Sequence, residues 1–254
     1  MHRLALLNAA PYAILAALAA LVALAGPACM AADRTGDRPE GVPDDYECVY
    51  RQDFKDDAAL GDFVFSDPRA WKPGKAAGRT GLAYDNSAKY RPKVRSPRII
   101  GLIQGIKVRD FVLEADICQT GKEYGHRDAC LFYGFTGPTK FYYTHIATRA
   151  DPHAHNIFLV NDKPRTAIAD KTTKGIDWGK EAFHHVRVVR RGSDGAIRVY
   201  YDDMSKPLME AKDTHFGWGW VGFGTFDDSG LVTNVRLWAK DVKKEKCTFF
   251  KAKK

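Results

Sequence analysis

The segment FYYTHIATRADPHAHNIF, residues 141–158, contains three of the eight histidines of the chain, next to two tyrosines. On an extended strand, side chains two positions apart point to the same side, so Tyr143 and His145 would share one face. A tyrosine beside a histidine can supply a general acid and a general base. β-Elimination of a polyuronate needs such a pair, to remove the proton next to the carboxylate and to protonate the leaving oxygen. We therefore predict Tyr143 and His145 as catalytic residues of a lyase site.

A lyase also needs a polar group that stabilises the negative charge developing on the substrate. Arg127, Gln119 and Asn156 are residue types that can do this. We assign His126 and Arg127 to the catalytic group, and Gln119, Asn156 and His155 to substrate binding. The alternative interpretation is that all of these residues are ordinary polar partners at a sheet edge and in its loops.

The same histidines could instead hold a metal ion. The spacings His126-x-Asp128 and His153-x-His155 give two donor pairs on strands, and imidazole with carboxylate suits zinc and related ions. These spacings match no established motif, so the metal is left unassigned. Two acidic segments, 200–203 and 226–230, offer the oxygen ligands that calcium prefers, although both are equally good turn sequences. A structural Ca²⁺ is therefore a candidate cofactor, in addition to the unassigned metal of the histidine cluster.

The segment KYRPKVRSPR, residues 89–98, contains five cations and no acid. In an extended conformation Lys89, Arg91, Lys93 and Arg95 would point the same way and form a cationic stripe. Such a stripe suits a carboxylated or sulfated polysaccharide, and we include Lys93 and Arg95 among the substrate-binding residues. Lysines and prolines also protect exposed edge strands from unwanted pairing, and the two interpretations are compatible.

A β-rich fold must position these residues, because strand signals occur along almost the whole chain. The segment RDFVLEADICQT, residues 109–120, alternates apolar residues with polar or mixed ones. The segment HHVRVVRRGSDGAIRVYYDD, residues 184–203, is typical of a β-hairpin that turns at Ser193-Asp194-Gly195. Many short strands at regular spacing predict an all-β sandwich or jelly roll in a single domain.

The order of these segments resembles the concanavalin A-like lectin/glucanase superfamily, especially its laminin-G-like branch and the bacterial 3-keto-disaccharide hydrolase domains. The similar segments are FHHVRV (183–188), IRVYYD (197–202), GFG (222–224) and NVRL (234–237), and the resemblance covers residues 46–240. It implies a concanavalin A-like jelly-roll β-sandwich of two antiparallel sheets, with glycans met on or beside the concave face. Because these segments are mostly scaffold, the resemblance implies a fold more than a chemistry.

Glu114 and Asp116 resemble part of the E-x-D-x-x-E strand of the glucanases in this superfamily. Gln119 stands where the last acid of that pattern is expected, so the acid/base carboxylate of a retaining hydrolase is missing. We therefore include Glu114 and Asp116 among the substrate-binding residues. The alternative is that they are polar residues on a partly solvated face of a sheet.

The two ends of the chain differ from its middle. Residues 1–31 have the basic start, apolar middle and small-residue end of a secretory signal peptide, so we expect a secreted or periplasmic protein. Residues 32–45 are polar and rich in proline and glycine, as expected of a flexible linker. Residues 241–254 form a basic tail. After removal of the signal we expect no membrane-spanning segment.

The formal net charge is +8, and much of the excess lies in the C-terminal tail. The chain contains no nucleic-acid-binding motif, so we expect no nucleic acid as a partner. Export permits disulfides, and the four cysteines that follow the predicted signal allow three pairings. We favour Cys118–Cys130, which would clamp two successive strands. We also favour Cys48–Cys247, which would tie the first strand to the end of the chain.

These observations converge on a secreted protein that interacts with an extracellular polysaccharide, which the basic segments indicate to be anionic. Three glycan hypotheses remain: a glycan-binding module without chemistry, a polysaccharide lyase that uses the His/Tyr pair, and a metal-assisted glycosidase related to 3-keto-glycoside hydrolases. A non-carbohydrate adhesion role is the further alternative. Convergence of Tyr143, His145, His126 and His155 in one cleft would favour an enzyme. Their dispersal would favour a binding module.

Overall fold

The computed structural model describes residues 38–250, so the predicted signal peptide, residues 1–31, lies outside the described residues. The described chain consists of strands joined by turns and of two short 3-10 helices, Asp57–Asp62 and Pro68–Ala70. The strands are β1 (Glu47–Gln52), β2 (Phe63–Phe65), β3 (Trp71–Ala76), β4 (Arg79–Tyr84), β5 (Ile99–Ile103), β6 (Ile106–Lys107), β7 (Phe111–Gln119), β8 (Asp128–Gly137), β9 (Lys140–Ala147), β10 (Asn156–Asn161), β11 (Thr166–Ala167), β12 (Ala169–Thr172), β13 (Phe183–Arg191), β14 (Ala196–Tyr201), β15 (Met209–Lys212), β16 (Trp220–Thr225), β17 (Gly230–Ala239) and β18 (Lys243–Lys244).

Two large sheets account for most of these strands. Sheet A has the order β12-β15-β14-β13-β7-β17-β4-β3, and β1 also pairs with β17. Sheet B has the order β11-β10-β9-β8-β16-β5-β2, while β6 and β18 form a small separate ribbon. Every strand pairing among the described residues is antiparallel. The prediction of an all-β sandwich of two antiparallel sheets is confirmed.

The main core contains side chains from both sheets. Strand β7 contributes Phe111, Leu113, Ala115 and Ile117 to it, as the alternation of the sequence predicts, and alternate residues of β8, β9 and β16 contribute from sheet B. Full burial of a large apolar side chain stabilises the fold by roughly 1.5–3 kcal/mol. Because one face of β7 is committed to this core, the intervening residues of β7 lie on the outer face of sheet A.

The outer face of sheet B is covered by a second apolar layer. Aromatic side chains of β8, β9, β10 and β16 on this face pack under two segments, residues 89–98 and 241–250. Tyr90 and Phe250 meet there edge to face, with ring centroids 5.3 Å apart. Strand β18 of the second segment pairs with β6. Up to residue 250, the predicted basic tail is therefore part of the packed structure.

Residues 38–45, which we predicted as part of a flexible linker, pack against the outer face of sheet A. Val42 is buried there in a small apolar cluster. The carbonyl oxygen of Glu40 accepts a hydrogen bond of 2.8 Å from Arg187. Residues 38–45 of the predicted linker thus contact sheet A, whereas residues 32–37 lie outside the described residues.

The four cysteines of the described region are free thiols, so the structure contains neither predicted disulfide. Cys118 packs in an apolar cluster on the outer face of sheet A, whereas Cys130 packs in the layer that covers sheet B. Cys48 and Cys247 also belong to different clusters. The pairing of Cys118 with Cys130 assumed that successive strands are neighbours, but β7 and β8 belong to opposite sheets.

Candidate functional site

A band of charged side chains crosses the outer face of sheet A. Alternation along β7 turns Glu114 and Asp116 away from the core. The antiparallel register then sets His185 of β13 opposite Asp116, and Arg187 opposite Glu114. Side chains that are directly opposite across antiparallel strands interact, because their Cβ atoms are about 4.5–5.5 Å apart. Two carboxylates and two basic groups are thus brought together by strand pairing alone.

His185 bridges the two carboxylates of this network. Its Nδ1 lies 2.7 Å from Oδ1 of Asp116, and its Nε2 lies 3.3 Å from Oε1 of Glu114. Arg187 contacts the same Glu114 oxygen through Nε at 2.8 Å and Nη2 at 2.7 Å. Both Arg187 and Glu114 are buried, and breaking such a pair is costly because the remaining charge is left uncompensated. The network is therefore held in one arrangement.

A β-bulge in β17 brings a fifth residue to the network. The register of β17 against β7 shifts between Thr233 and Arg236, and Asn234 adopts a φ of 51° within this stretch. Asparagine enters the left-handed region more readily than most residues, and bulges commonly re-aim a side chain. The amide of Asn234 donates to Oδ2 of Asp116 at 3.1 Å. Arg79 of β4 donates to the same oxygen at 2.5 Å.

An open cleft of about 400 Å³ adjoins the network. Arg79 and Asn234 line this cleft and also hold Asp116, so the cleft and the network are continuous. The residues that line the cleft are Asp53, Lys55, Lys75, Gly78, Arg79, Thr80, Thr233 and Asn234.

The charge of the cleft is positive. Lys55 and Lys75 are both exposed, and neither forms an ion pair with another residue of the described range. The acid of the cleft, Asp53, is already paired with Arg236 at 2.7 Å. The two lysines therefore offer unpaired ammonium groups at the mouth of a cleft whose acid is neutralised.

The groups of the network keep one another ionised. Hydrogen bonds to Asp116 and then to Glu114 raise the pKa of His185 to about 9. Burial acts to raise the pKa of Glu114, but the hydrogen bond from His185 and the charge of Arg187 outweigh burial and lower it. Burial also acts to raise the pKa of Asp116, but the hydrogen bonds from His185 and Arg79 outweigh burial and lower that pKa. At neutral pH neither carboxylate holds the proton that a general acid must donate.

The predicted acid–base pair lies on the other side of the sandwich. Tyr143 and His145 share the outer face of β9, and Ile146 faces the core, as the alternation predicts. Tyr143 is fully buried and stacks on Phe158 at 5.1 Å, and His145 is only 5% exposed. Burial raises the pKa of Tyr143 well above its ordinary value. The groove that we expected beside this pair is filled by the second apolar layer.

Four further residues that we predicted around the pair engage in separate local contacts. His126 is exposed in the loop before β8. Arg127 is buried and donates to a backbone carbonyl oxygen at 2.9 Å. Gln119 is buried and donates to another carbonyl oxygen at 2.5 Å. Asn156 accepts a hydrogen bond from a backbone N–H at 3.1 Å. These side chains do not line the cleft beside sheet A.

His155 is wholly buried at the start of β10, with a φ of 51°. Its Nδ1 lies 3.2 Å from the backbone N–H of Ala147, which can only donate, so the proton of the neutral ring is on Nε2. Nε2 is 2.9 Å from the hydroxyl of Thr173. Burial lowers the pKa of His155 to about 4. Both ring nitrogens are therefore occupied by partners within the fold.

Lys93 and Arg95 lie in the segment that covers sheet B, on the opposite side of the sandwich from the cleft. The segment has no strand structure, but it retains the predicted alternation, since Tyr90 and Val94 pack inward. The cations point outward. The exposed members of the stripe are Lys89, Arg91, Lys93 and Arg95.

Among residues 38–250, the predicted metal-binding pairs do not come within metal-binding distance of each other: His126 lies 3.8 Å from Asp151, and His155 is held by its own partners. The acidic segment 200–203 covers the end of β14 and the residues after it, where Asp202 accepts from the backbone N–H of His185 at 2.9 Å and lies 2.7 Å from Nδ1 of His184. Within residues 38–250, two groups of side chains have ligand atoms close enough for a metal ion. They are Asp128 with Cys130 and His145, and Asp128 with Asp227 and Asp228.

Sequence reasoning found Glu114 and Asp116 but missed their partners. A usable signal existed for His185 and Arg187, because they alternate with Val186 and Val188 and so lie on the polar face of β13. Asn234 carried no comparable signal. Its role depends on the bulge in β17, which the alternation of the sequence does not reveal.

No protein-family model matches the chain, and no curated protein sequence matches it. Among residues 38–250, no helix is long and apolar enough to cross a membrane. The likeness to known proteins therefore lies in the fold.

Three solved structures share the fold. Carbohydrate binding module CBM66 from Bacillus subtilis aligns with a TM-score of 0.50 and 16% identity, over 69% of this chain and 94% of that one. A Bacillus subtilis protein of unknown function with a galectin-like fold aligns with a TM-score of 0.53 and 10% identity, over 78% and 97%. The GH43 protein BlXynB from Bacillus licheniformis aligns with a TM-score of 0.50 and 10% identity, over 74% of this chain but 39% of that one. The chain thus has the β-sandwich fold of these proteins.

Proposed function

We propose that this protein is a secreted glycan-binding domain that holds an acidic polysaccharide in the cleft beside sheet A. The observation that carries the proposal is the network of Glu114, Asp116, His185, Arg79 and Asn234, which opens on a cleft with two unpaired lysines. A fixed set of polar groups at the edge of a concave surface is what ligand recognition requires.

The charges of the cleft favour an anionic ligand. Lys55 and Lys75 have no ion-pair partner within the described residues and can pair with carboxylate or sulfate groups of a glycan. The fixed amide of Asn234 and the hydroxyls of Thr80 and Thr233 at the same cleft can bond to sugar hydroxyls. Binding should therefore weaken as the salt concentration rises.

The fold comparisons support a glycan as the ligand class. One structure with this fold is described as a carbohydrate binding module, and another is described as a GH43 protein. The composition of residues 1–31 supports an extracytoplasmic location, where such polysaccharides occur.

Binding is favoured over catalysis by the ionisation of the site. A glycoside hydrolase needs a carboxylic acid that is still protonated near neutral pH, yet the pKa values of Glu114 and Asp116 are both lowered. The candidate lyase pair, Tyr143 and His145, is buried under the second apolar layer. We therefore propose a binding module.

The test is affinity electrophoresis of the purified chain in gels that contain uronate, sulfated or neutral polysaccharides. We expect retardation by an acidic glycan. Lys75→Ala should weaken the affinity about tenfold, equivalent to about 1.4 kcal/mol. Asn234→Gly removes the amide but tolerates the positive φ, and an unchanged unfolding temperature of this variant would show that its loss of affinity reports on recognition and not on the lost bond to Asp116.

The matched control is Lys93→Ala, which removes an exposed lysine on the opposite side of the sandwich. We expect this variant to bind like the unmodified protein. Retardation by no glycan would contradict the proposal. Loss of binding in Lys93→Ala but not in Lys75→Ala would assign recognition to the segment 89–98. Release of unsaturated uronate products would reinstate the lyase.

A further inference from the structure

A second cluster of chemically active side chains lies in sheet B, remote from the cleft. Asp128 and Cys130 are two positions apart on β8, and His145 of β9 is directly opposite Cys130 in the register. All three side chains are buried, with exposures of 3%, 0% and 5%. Strand pairing thus brings a carboxylate, a thiol and an imidazole together inside the protein.

The distances within this cluster suit a small metal ion. Nε2 of His145 lies 3.1 Å from Oδ2 of Asp128, and the thiol of Cys130 donates a hydrogen bond of 3.8 Å to Oδ1 of Asp128. A bound metal ion would replace the proton of this thiol. Tetrahedral zinc has bonds of about 2.0–2.3 Å, which puts neighbouring ligand atoms about 3.3–3.6 Å apart. One ligand atom from each of the three residues lies within 4.8 Å of the others.

His145 supplies an independent observation. Neither of its ring nitrogens has a hydrogen-bond partner within the described residues, although the residue is only 5% exposed. A buried polar group without a partner costs roughly 1–3 kcal/mol. Nδ1 has no hydrogen-bond partner among the described residues, whereas Nε2 lies 3.1 Å from Oδ2 of Asp128, at ion-pair distance for a protonated ring but without hydrogen-bond geometry. A cation between them would satisfy both groups.

Asp128 is itself held in place by its surroundings. Its Oδ1 accepts from the hydroxyl of Thr225 at 2.7 Å and from the N–H of Phe226 at 3.4 Å. Its backbone N–H donates to Oδ2 of Asp228 at 2.8 Å. Partners of this kind orient a ligating carboxylate and raise the affinity of a metal site.

We propose that Asp128, Cys130 and His145 form a binding site for zinc or a similar borderline divalent cation. A thiolate and an imidazole together select such an ion over calcium, which prefers oxygen ligands. Three protein ligands leave a fourth position for a small ligand such as water. Because the site is buried under the second apolar layer, the ion would stabilise sheet B and would not contact a polysaccharide.

A group of three acids competes for this assignment, because Asp128 also lies close to Asp227 and Asp228. That group contains only oxygen ligands and Asp227 is exposed, so it would suit calcium. The two groups share Asp128, but only the first contains a thiol, that of Cys130. Evidence for or against a bond between the metal and this thiol therefore decides which assignment is correct.

The experiment is a titration of the purified chain with Co²⁺, after treatment with a chelator, followed by absorption spectroscopy. We expect one equivalent to bind, with a thiolate-to-cobalt charge-transfer band in the near ultraviolet and visible bands of a tetrahedral ion. Zinc should displace the cobalt. Cys130→Ala should lose the charge-transfer band, whereas Cys118→Ala, which removes another buried thiol far from the site, should retain it.

A second measurement uses the unmodified chain, in case Cys130→Ala fails to fold. We expect zinc to raise its unfolding temperature and calcium to leave it unchanged. The absence of a charge-transfer band in the unmodified chain, or its persistence in folded Cys130→Ala, would overturn the proposal. Stabilisation by calcium alone would also overturn it and would assign the ion to Asp128, Asp227 and Asp228.

Discussion

At the scale of single residues, His185 is central to the candidate site because it contacts both carboxylates at once. A histidine on a solvated sheet face would ordinarily titrate near pH 6.5. Here Asp116 and Glu114 stabilise the charged ring, and its pKa rises to about 9. The imidazolium is thus present at neutral pH, and it compensates two carboxylates that are largely withdrawn from water.

This arrangement predicts that stability declines in mildly alkaline solution. The folded-state pKa of His185 lies above its unfolded value, so the stabilising contribution is complete below about pH 6.5 and disappears as the pH rises through about 9. The difference in unfolding temperature between the unmodified chain and His185→Gln should therefore be largest at acidic to neutral pH. Thermal unfolding between pH 5 and pH 10 checks this.

The control for that measurement is His126→Gln, which replaces an exposed loop histidine whose 3.8 Å contact with Asp151 is a surface ion pair that contributes little to stability. We expect it to unfold at the same temperature as the unmodified chain throughout the range. A constant difference between the unmodified chain and His185→Gln at every pH would mean that His185 acts by packing and not by charge.

At the scale of elements, close pairing between neighbouring strands depends on residues without side chains. Strand β16 lies between β5 and β8, and it carries glycine at positions 222 and 224. A Cβ atom at Gly224 would overlap the carbonyl oxygen of Ile99 on β5 and would approach the ring of Phe132 on β8 to 3.0 Å. Glycine at this position therefore permits the pairing of three strands.

We predict that Gly224→Ala lowers the free energy of unfolding by about 1–3 kcal/mol, the typical cost of overpacking. In a domain of this size, each kcal/mol lowers the unfolding temperature by roughly 2–4 °C. Gly61→Ala is the matched control, since a Cβ atom there would meet nothing within 4 Å. Calorimetry of both variants measures the difference, and equal unfolding temperatures would contradict the close approach of β5 and β16.

At the scale of the whole molecule, the two outer faces of the sandwich differ. Part of the outer face of sheet A adjoins solvent at the cleft, where the charged network lies. The outer face of sheet B is sealed by residues 89–98 and 241–250. This asymmetry leaves the cleft accessible from solvent on one face, while the other face contributes a second core.

Because residues 241–250 cover the outer face of sheet B, we predict that they stabilise the fold. A variant that ends at Lys246 loses Cys247, Phe249 and Phe250, which cover Trp220 and Phe135. Burial of one large apolar side chain is worth roughly 1.5–3 kcal/mol, so the truncated chain should unfold at a clearly lower temperature and bind a hydrophobic dye.

Deletion of residues 251–254 alone serves as the control, because the covering aromatic rings remain. We expect this shorter deletion to unfold like the full chain in the same thermal and dye-binding measurements. If the variant that ends at Lys246 were equally stable, the second apolar layer would not depend on the C-terminal segment.

The sequence by itself determined the all-β architecture and the direction of many side chains. Alternation has a period of two residues, so the inner residues of β7 and the common face of Tyr143 and His145 could be predicted locally. The exposure of the cations in the segment 89–98 follows from the same rule. A periodic pattern indicates which residues share a face of a strand, but it does not indicate what packs against that face.

Only the tertiary structure decided which face is open to solvent. His145 and Asp116 both lie on outer faces, yet His145 is sealed by distant segments, whereas Asp116 bonds to Arg79 and Asn234, which line the cleft. Covering depends on contacts between residues far apart in the chain, and local alternation contains no information about them. The same reason explains the error about Cys118 and Cys130, since strand alternation does not specify the sheet that the next strand joins.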